Sequence, residues 1–276
     1  MGGPCIDLDQ CSSHRPVSVW VDVGRDRTPA TDGVRLVIVG EKPQMLTAAI
    51  FDVDGVLIAS PHERAWREAL VGFTEAECFT TTMYQSHVAG KLRLDGARSA
   101  LEALGVNNAG LHAIAYAERK QARLEELMQT GAVAAFPDAL RFVEAVAALG
   151  WPMAAASSSR NAAEMMRSVR LGAGQSLLDI FQVNVSGREV KRGKPDPELF
   201  LIAAAELGVS PTQCFVAEDA PAGIQAALAG GMAALGVARL GDADQLRAAG
   251  SHLVVESLDE IAVADLARGQ LKARTP

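Results

Sequence analysis

The apolar run from Ala48 to Val53 breaks off in Asp-Val-Asp-Gly, which reads as a buried strand closing in a tight turn at Gly55. The first strand of a parallel sheet has this form. From about residue 62 to 130 the strand signal is lost, and HERAWREALVGF, DGARSALEALG and GLHAIAYAERKQARLEELM carry apolar residues at helical spacing. This stretch predicts an all-helical insert. After Phe136 the pattern alternates between helix and strand through PDALRFVEAVAALG, WPMAAAS, FQVNVSG, DPELFLIAAAELG, CFVAED, PAGIQAALAGG and AALGV. Such alternation implies βαβ units. Pro137, Pro197 and Pro221 stand near first turns of these helices, and Gly150, Gly208 and Gly230 just past last turns.

The resulting layout is α/β, with a parallel-sheet core at 45–60 and 136–265 and a helical insert at 61–135. Residues 266–276 form a C-terminal tail. Residues 1–44 mix Gly, Pro, Ser and Asp with one strand-like stretch, Arg35 to Val39, and read as an N-terminal extension or as sequence upstream of a natural start at Met45. Right-handed crossovers bring the carboxyl ends of parallel strands to one sheet edge, where ligands of open α/β sheets bind.

The polar residues of the apolar strands gather at those ends: Asp52 and Asp54, then Ser157, then Lys194 in a loop, then Glu218 and Asp219. Carboxylates crowded at one edge repel each other unless a cation sits among them. Magnesium fits, because it prefers hard oxygens and commonly uses one or two carboxylates with water and substrate phosphate. The expected ligands are Asp52, Asp219 and a carbonyl near Asp54, with Glu218 positioning metal-bound water. An aspartate beside such an ion and a lysine is a nucleophile toward phosphorus, and Asp52 is the expected one. Asp54 would then serve as acid and base, while Lys194 and the Ser157 hydroxyl offset charge on the transferring group.

In their order along the chain, DVDGV at 52–56, the strand ending in Ser157, GKPDPELF at 193–200 and AEDAPAGIQAALAGG at 217–231 resemble the four motifs of the haloacid dehalogenase superfamily, in its β-phosphoglucomutase-like branch. The resemblance spans about Met45 to Val255. It implies a Rossmann-like core, a helical cap inserted after the first motif, magnesium and an aspartyl-phosphate intermediate. In the cap, His62, Arg93 and Lys120 fall where mutase-like members carry corresponding residues: Arg93 to grip a distal phosphate or other anionic group, His62 and Lys120 to steady Asp54. Ser158 and Asn161 match a substrate-facing loop. Two departures are plain, since the stretch from Asp54 to His62 is two residues short and Ala59 stands where many members have an Asp.

Composition narrows the partners. A net charge of −7 with no Lys/Arg cluster argues against nucleic acid. No apolar stretch approaches the roughly 18 residues of a membrane helix, and the N-terminus lacks a secretory pattern, so a cytoplasmic protein is expected. Cys5, Cys11, Cys78 and Cys214 form no CxxC pair and read as free thiols. The substrate expected is a small phosphorylated metabolite, in particular a sugar phosphate. The expected activity is that of a magnesium-dependent phosphatase, with a phosphomutase as the first alternative and a non-catalytic phosphate-binding regulatory module as the alternative of another class; Asp54 argues against a dehalogenase.

Overall fold

The computed structural model describes residues 45–275, so the extension with its strand-like stretch, and Cys5 and Cys11, lie outside the described residues. In chain order the strands are β1 (Ala48–Phe51), β2 (Ile58–Ala59), β3 (Ala134–Ala135), β4 (Met153–Ala155), β5 (Val183–Asn184), β6 (Cys214–Glu218), β7 (Ala233–Val237) and β8 (Leu253–Val255). The helices are α1 (His62–Glu68), α2 (Thr81–His87), α3 (Arg93–Ala103), α4 (Ala109–Gln129), α5 (Pro137–Ala148), α6 (Ala162–Ser168), α7 (Glu198–Leu207), α8 (Pro221–Ala229), α9 (Ala243–Ala248) and α10 (Val263–Leu266).

Six strands form one parallel sheet in the order β5-β4-β1-β6-β7-β8. The chain starts in the middle, winds to one side through β4 and β5, and returns to build the other side. The strand order therefore reverses beside β1, and the crevice at such a reversal is where doubly wound sheets bind ligands. Both faces of β1 are covered: Ala49 and Phe51 pack into one apolar cluster, Ala48 and Ile50 into another. This is why the run is continuously apolar instead of alternating. The Phe51 ring meets Phe142, Phe181 and Phe215 edge-on at 5.9–6.0 Å, and burying a side chain of this kind stabilises by roughly 1.5–3 kcal/mol. Asp52 thus extends from a rigidly seated residue.

β2 and β3 pair antiparallel at the two chain crossings that flank α1 to α4. Those four helices enclose their own apolar cluster, with Trp66, Leu70, Phe79, Leu101 and Tyr116 at its centre. The Tyr116 hydroxyl donates to the Trp66 carbonyl at 2.8 Å and ties α4 to α1. Helix punctuation follows the sequence closely, since Pro137 and Pro221 open α5 and α8 and Gly208 closes α7 in the left-handed region. After α8 that conformation falls on Gly231, one residue later than the pattern implies. The C-terminal stretch is not a trailing tail. The Gly269 carbonyl accepts from Leu46 N, the Lys272 carbonyl from Ala262 N, and Leu271 packs on the main cluster. Among the described residues no helix is long and apolar enough to cross a membrane.

Candidate active site

The carboxyl end of β1 delivers Asp52 into a buried charge cluster. The Lys194 ammonium, fully enclosed, donates to Asp52 Oδ1 at 2.6 Å and to Glu218 Oε1, and lies 4.8 Å from the centre of the Phe200 ring. Glu218 Oε2 accepts from Ala220 N at 3.0 Å. The room for Glu218 comes from Gly223, where a Cβ would stand 1.9 Å from Oε1. Burial pushes the Asp52 carboxyl up to about 8; Lys194 opposes this, and Glu218 and Asp54 add to it. Burial alone would lower the Lys194 ammonium, but Asp52 and Glu218 outweigh that and carry it above its usual range.

Asp219, next in β6's wake, is pushed well above the carboxylate range by burial, Glu218 and Asp52. It rests against Gly55, whose φ of +83° and missing side chain make the fit possible, because a Cβ there would meet Asp219 Oδ2 at 1.9 Å. Asp54 stands on the same turn. Its Oδ2 accepts from the Ser157 hydroxyl at 3.3 Å, while its buried Oδ1 has no hydrogen-bond partner among the described residues. His62 Nδ1 lies 3.6 Å from that oxygen and 3.1 Å from Ser60 Oγ, and Nε2 lies 3.1 Å from Ser159 Oγ. Burial lowers the imidazole to about 4 against the pull of Asp54, with Lys120 and Arg93 lowering it further. At neutral pH His62 is an uncharged hydrogen-bonding group.

The helical insert supplies the opposite wall. Arg93, at the first turn of α3, and Lys120, midway along α4, face the same cavity as Asp52, Asp54, His62, Ser157 and Ser158. Lys120 Nζ sits 5.0 Å from the centre of the Trp66 ring and is lowered to about 7, chiefly by burial, with Asp54 opposing and Arg93 assisting. Burial also lowers Arg93 and Lys91. Among the described residues none of these three basic side chains forms an ion pair, and together at one wall they make a site for an anion.

The donor set suits a divalent ion. Asp52, Asp54 and Asp219 offer hard oxygens, one of them orphaned, in surroundings that penalise uncompensated negative charge. Among the described residues no three acidic, His or Cys side chains already form an ion cage. Magnesium does not require one, since it retains several waters and takes few protein ligands.

Two expected roles change. Glu218, expected to position metal-bound water, is fully buried behind Asp52 and has both oxygens engaged by Lys194 and Ala220 N. Its geometry makes it the second anchor of the lysine. Asn161, expected on a substrate-facing loop, stands outside the cavity lining; its amide exchanges hydrogen bonds with Gln121 of α4 at 3.1 and 3.2 Å. It ties the insert to the core, as Ser158 does by donating to the Gly90 carbonyl at 2.8 Å. Lys194, Glu218 and Asp219 lie beneath the cavity and do not line it. Sequence reasoning missed Tyr84, Lys91, Trp66, Val88, Gly90 and Ser159, which do. Tyr84 had a usable signal, an aromatic in the polar helix TTMYQSH; its hydroxyl is pushed well above the usual range by burial and by Asp219 and Asp54.

Comparison with known proteins agrees with this geometry. The chain is 32% identical to the β-phosphoglucomutase of Mycobacterium tuberculosis over 249 residues, covering 79% of this chain and 92% of that protein. It is also 32% identical to the fructose-1-phosphate phosphatase YqaB of Escherichia coli K12 over 197 residues, 68% of this chain and 94% of that one. Among solved structures, the β-phosphoglucomutase of the archaeon Pyrococcus sp. strain ST 04 matches with a TM-score of 0.60 and 32% identity, over 79% of this chain and 96% of that chain. A family model for haloacid dehalogenase-like hydrolases spans residues 46–231, from the strand that delivers Asp52 to the glycines that end α8, and the chain belongs to that family.

Proposed function

We propose that this protein is a magnesium-dependent phosphatase of small phosphorylated sugars, working through an aspartyl-phosphate on Asp52. The observation that carries the reading is the Asp52–Lys194–Glu218 cluster beneath a cavity that also holds Asp54 and Ser157. Asp52, Asp219 and the turn at Asp54 would hold magnesium, which would neutralise the carboxylates and polarise the phosphoryl oxygens. Lys194 fixes the Asp52 carboxylate through Oδ1. The other carboxylate oxygen is free to attack phosphorus, forming the Asp52 O–P bond as the P–O bond to the sugar breaks. Asp54 gives its proton to the departing sugar oxygen. It then takes a proton from water as that water attacks phosphorus, releasing inorganic phosphate and restoring Asp52. Ser157 and the backbone N–H groups of its loop hold the equatorial oxygens. Arg93, Lys91 and Lys120 take a second anionic group or the sugar hydroxyls. Such substrates set the protein in the cytoplasm.

Asp52→Asn, assayed with magnesium over a panel of hexose phosphates, should lose at least about 1,000-fold in kcat. Near wild-type turnover removes the proposal. A second reading, phosphomutase activity, is favoured by the basic wall and by the mycobacterial relative. In it Asp54 activates a sugar hydroxyl in place of water. Following free phosphate and isomerised sugar in the same panel separates the two, and stoichiometric phosphate release excludes the mutase.

A further inference from the structure

We propose that Arg239 is a positioning residue for proton transfer by Asp54, acting through the turn that carries it; this rests on the assignment of Asp54 as acid and base. Arg239 lies two residues beyond β7 and its side chain is largely buried. Nε donates to the Gly55 carbonyl and Nη2 to the Val56 carbonyl, both at 3.0 Å. Nη1 donates to Asp138 Oδ2 at 3.0 Å, and the guanidinium stacks 3.8 Å from the centre of the Phe136 ring.

The guanidinium is itself held from behind. Asp138 Oδ2 also accepts from the Leu258 amide at 2.8 Å and the Ser257 hydroxyl at 3.0 Å. The planar fork is thus aimed by the first turn of α5 and the segment after β8, and it grips the two carbonyls immediately after Asp54. A guanidinium presents a rigid planar fork of parallel donors that fixes the direction of both carbonyls and of Asp138 at once, whereas a lysine ammonium is a rotatable point charge that cannot hold all three in one plane. A turn allowed to relax displaces the Asp54 carboxyl from Ser157 and His62. The same guanidinium joins both crossings of the insert. Phe136 is the last residue before α5, and its N–H donates to the Leu57 carbonyl at 3.0 Å.

A merely structural ion pair and a positioning role differ in their dependence on the leaving group. An alkyl phosphate needs its departing oxygen protonated, whereas p-nitrophenyl phosphate does not. For Arg239→Lys, kcat/KM on the best hexose phosphate of the panel should fall roughly 10- to 100-fold, with less than about a threefold loss on p-nitrophenyl phosphate, because kcat/KM ends at departure of the leaving group and excludes the later step in which Asp54 is the base toward water. Arg239→Gln, which keeps an amide donor near the carbonyls, should show the same selectivity and serves if the lysine variant does not fold by circular dichroism. Equal losses in kcat/KM on the two esters, or wild-type kcat/KM on both, overturn the proposal. Asp54→Asn is run alongside: if its own loss fails to depend on the leaving group, the assignment of Asp54 as the acid is what has failed.

Discussion

The floor and the roof of the cavity treat charge in opposite ways. On the floor, built by the sheet, Lys194 is paired with two carboxylates and stacked near Phe200, and Glu218 is closed off by Ala220 N. In the roof, built by the insert, Lys120 has a Trp66 ring for company, and Arg93 and Lys91 are both lowered by burial. On the floor the lysine is fully paired before substrate arrives, and the negative charge left over at Asp52 and Asp219 favours a further cation. The roof is held in deficit of negative charge, so an incoming anion gains most there.

The contrast breaks hardest at Lys194. Lys194→Met should abolish turnover, by about 1,000-fold or more, and should cost about 3–5 kcal/mol of stability because two buried carboxylates lose the cation they share. A urea melt and a kcat measurement check both. A variant as stable as wild type would show that the floor is not completed by this lysine. In the roof, Arg93→Ala should instead raise KM about 10- to 100-fold, as expected for one charge-assisted contact, and leave the melt almost unchanged. A fall in kcat at constant KM would place Arg93 in the chemistry.

Metal binding sharpens the comparison through pH. Asp52 is raised to about 8, by burial first and then by Glu218 and Asp54 against Lys194. Below that pH a cation must displace a proton. Magnesium affinity measured calorimetrically should therefore climb from pH 6 to pH 8, by up to about tenfold per pH unit for one proton released. A flat profile contradicts the shift.

The smallest effect belongs to Lys120, lowered to about 7 by burial and Arg93 against Asp54. Between that value and 10.5 the unfolded chain binds more protons than the folded one, so the wild type gains stability as pH rises across this window. Lys120→Met removes the burial cost. It should raise Tm at pH 6 by roughly 4 °C, about 1–2 kcal/mol, with the gain shrinking toward pH 10. A pH-independent difference between the two melts counts against it.

The residues that pair over long spans explain what could be read from the chain and what could not. Asp52, Ser157 and Glu218 each follow an apolar strand, and parallel topology alone brings strand ends together, so the floor was visible as a pattern. β8, three residues at a sheet edge, and the two-residue ribbon of β2 and β3 are too short to show a period. The helix TTMYQSH hid because its sequence is polar almost throughout. Asn161 matched a loop by position, yet its partner Gln121 lies 40 residues away on another helix. Arg239 reads as an ordinary surface cation until the fold sets Gly55, 184 residues earlier, beside it.

The insert's own apolar cluster has a consequence for how this scaffold diversifies. Because Trp66, Phe79, Leu101 and Tyr116 pack on one another and not on the sheet, residues facing the ester can be exchanged without disturbing the strands that do the chemistry. Selection for a new sugar can therefore act on the cavity-facing positions of α1 to α4, like refitting a key while the lock's bolt stays in place, provided Ala65, Leu124 and Leu127, which pack into the sheet's own cluster, are kept.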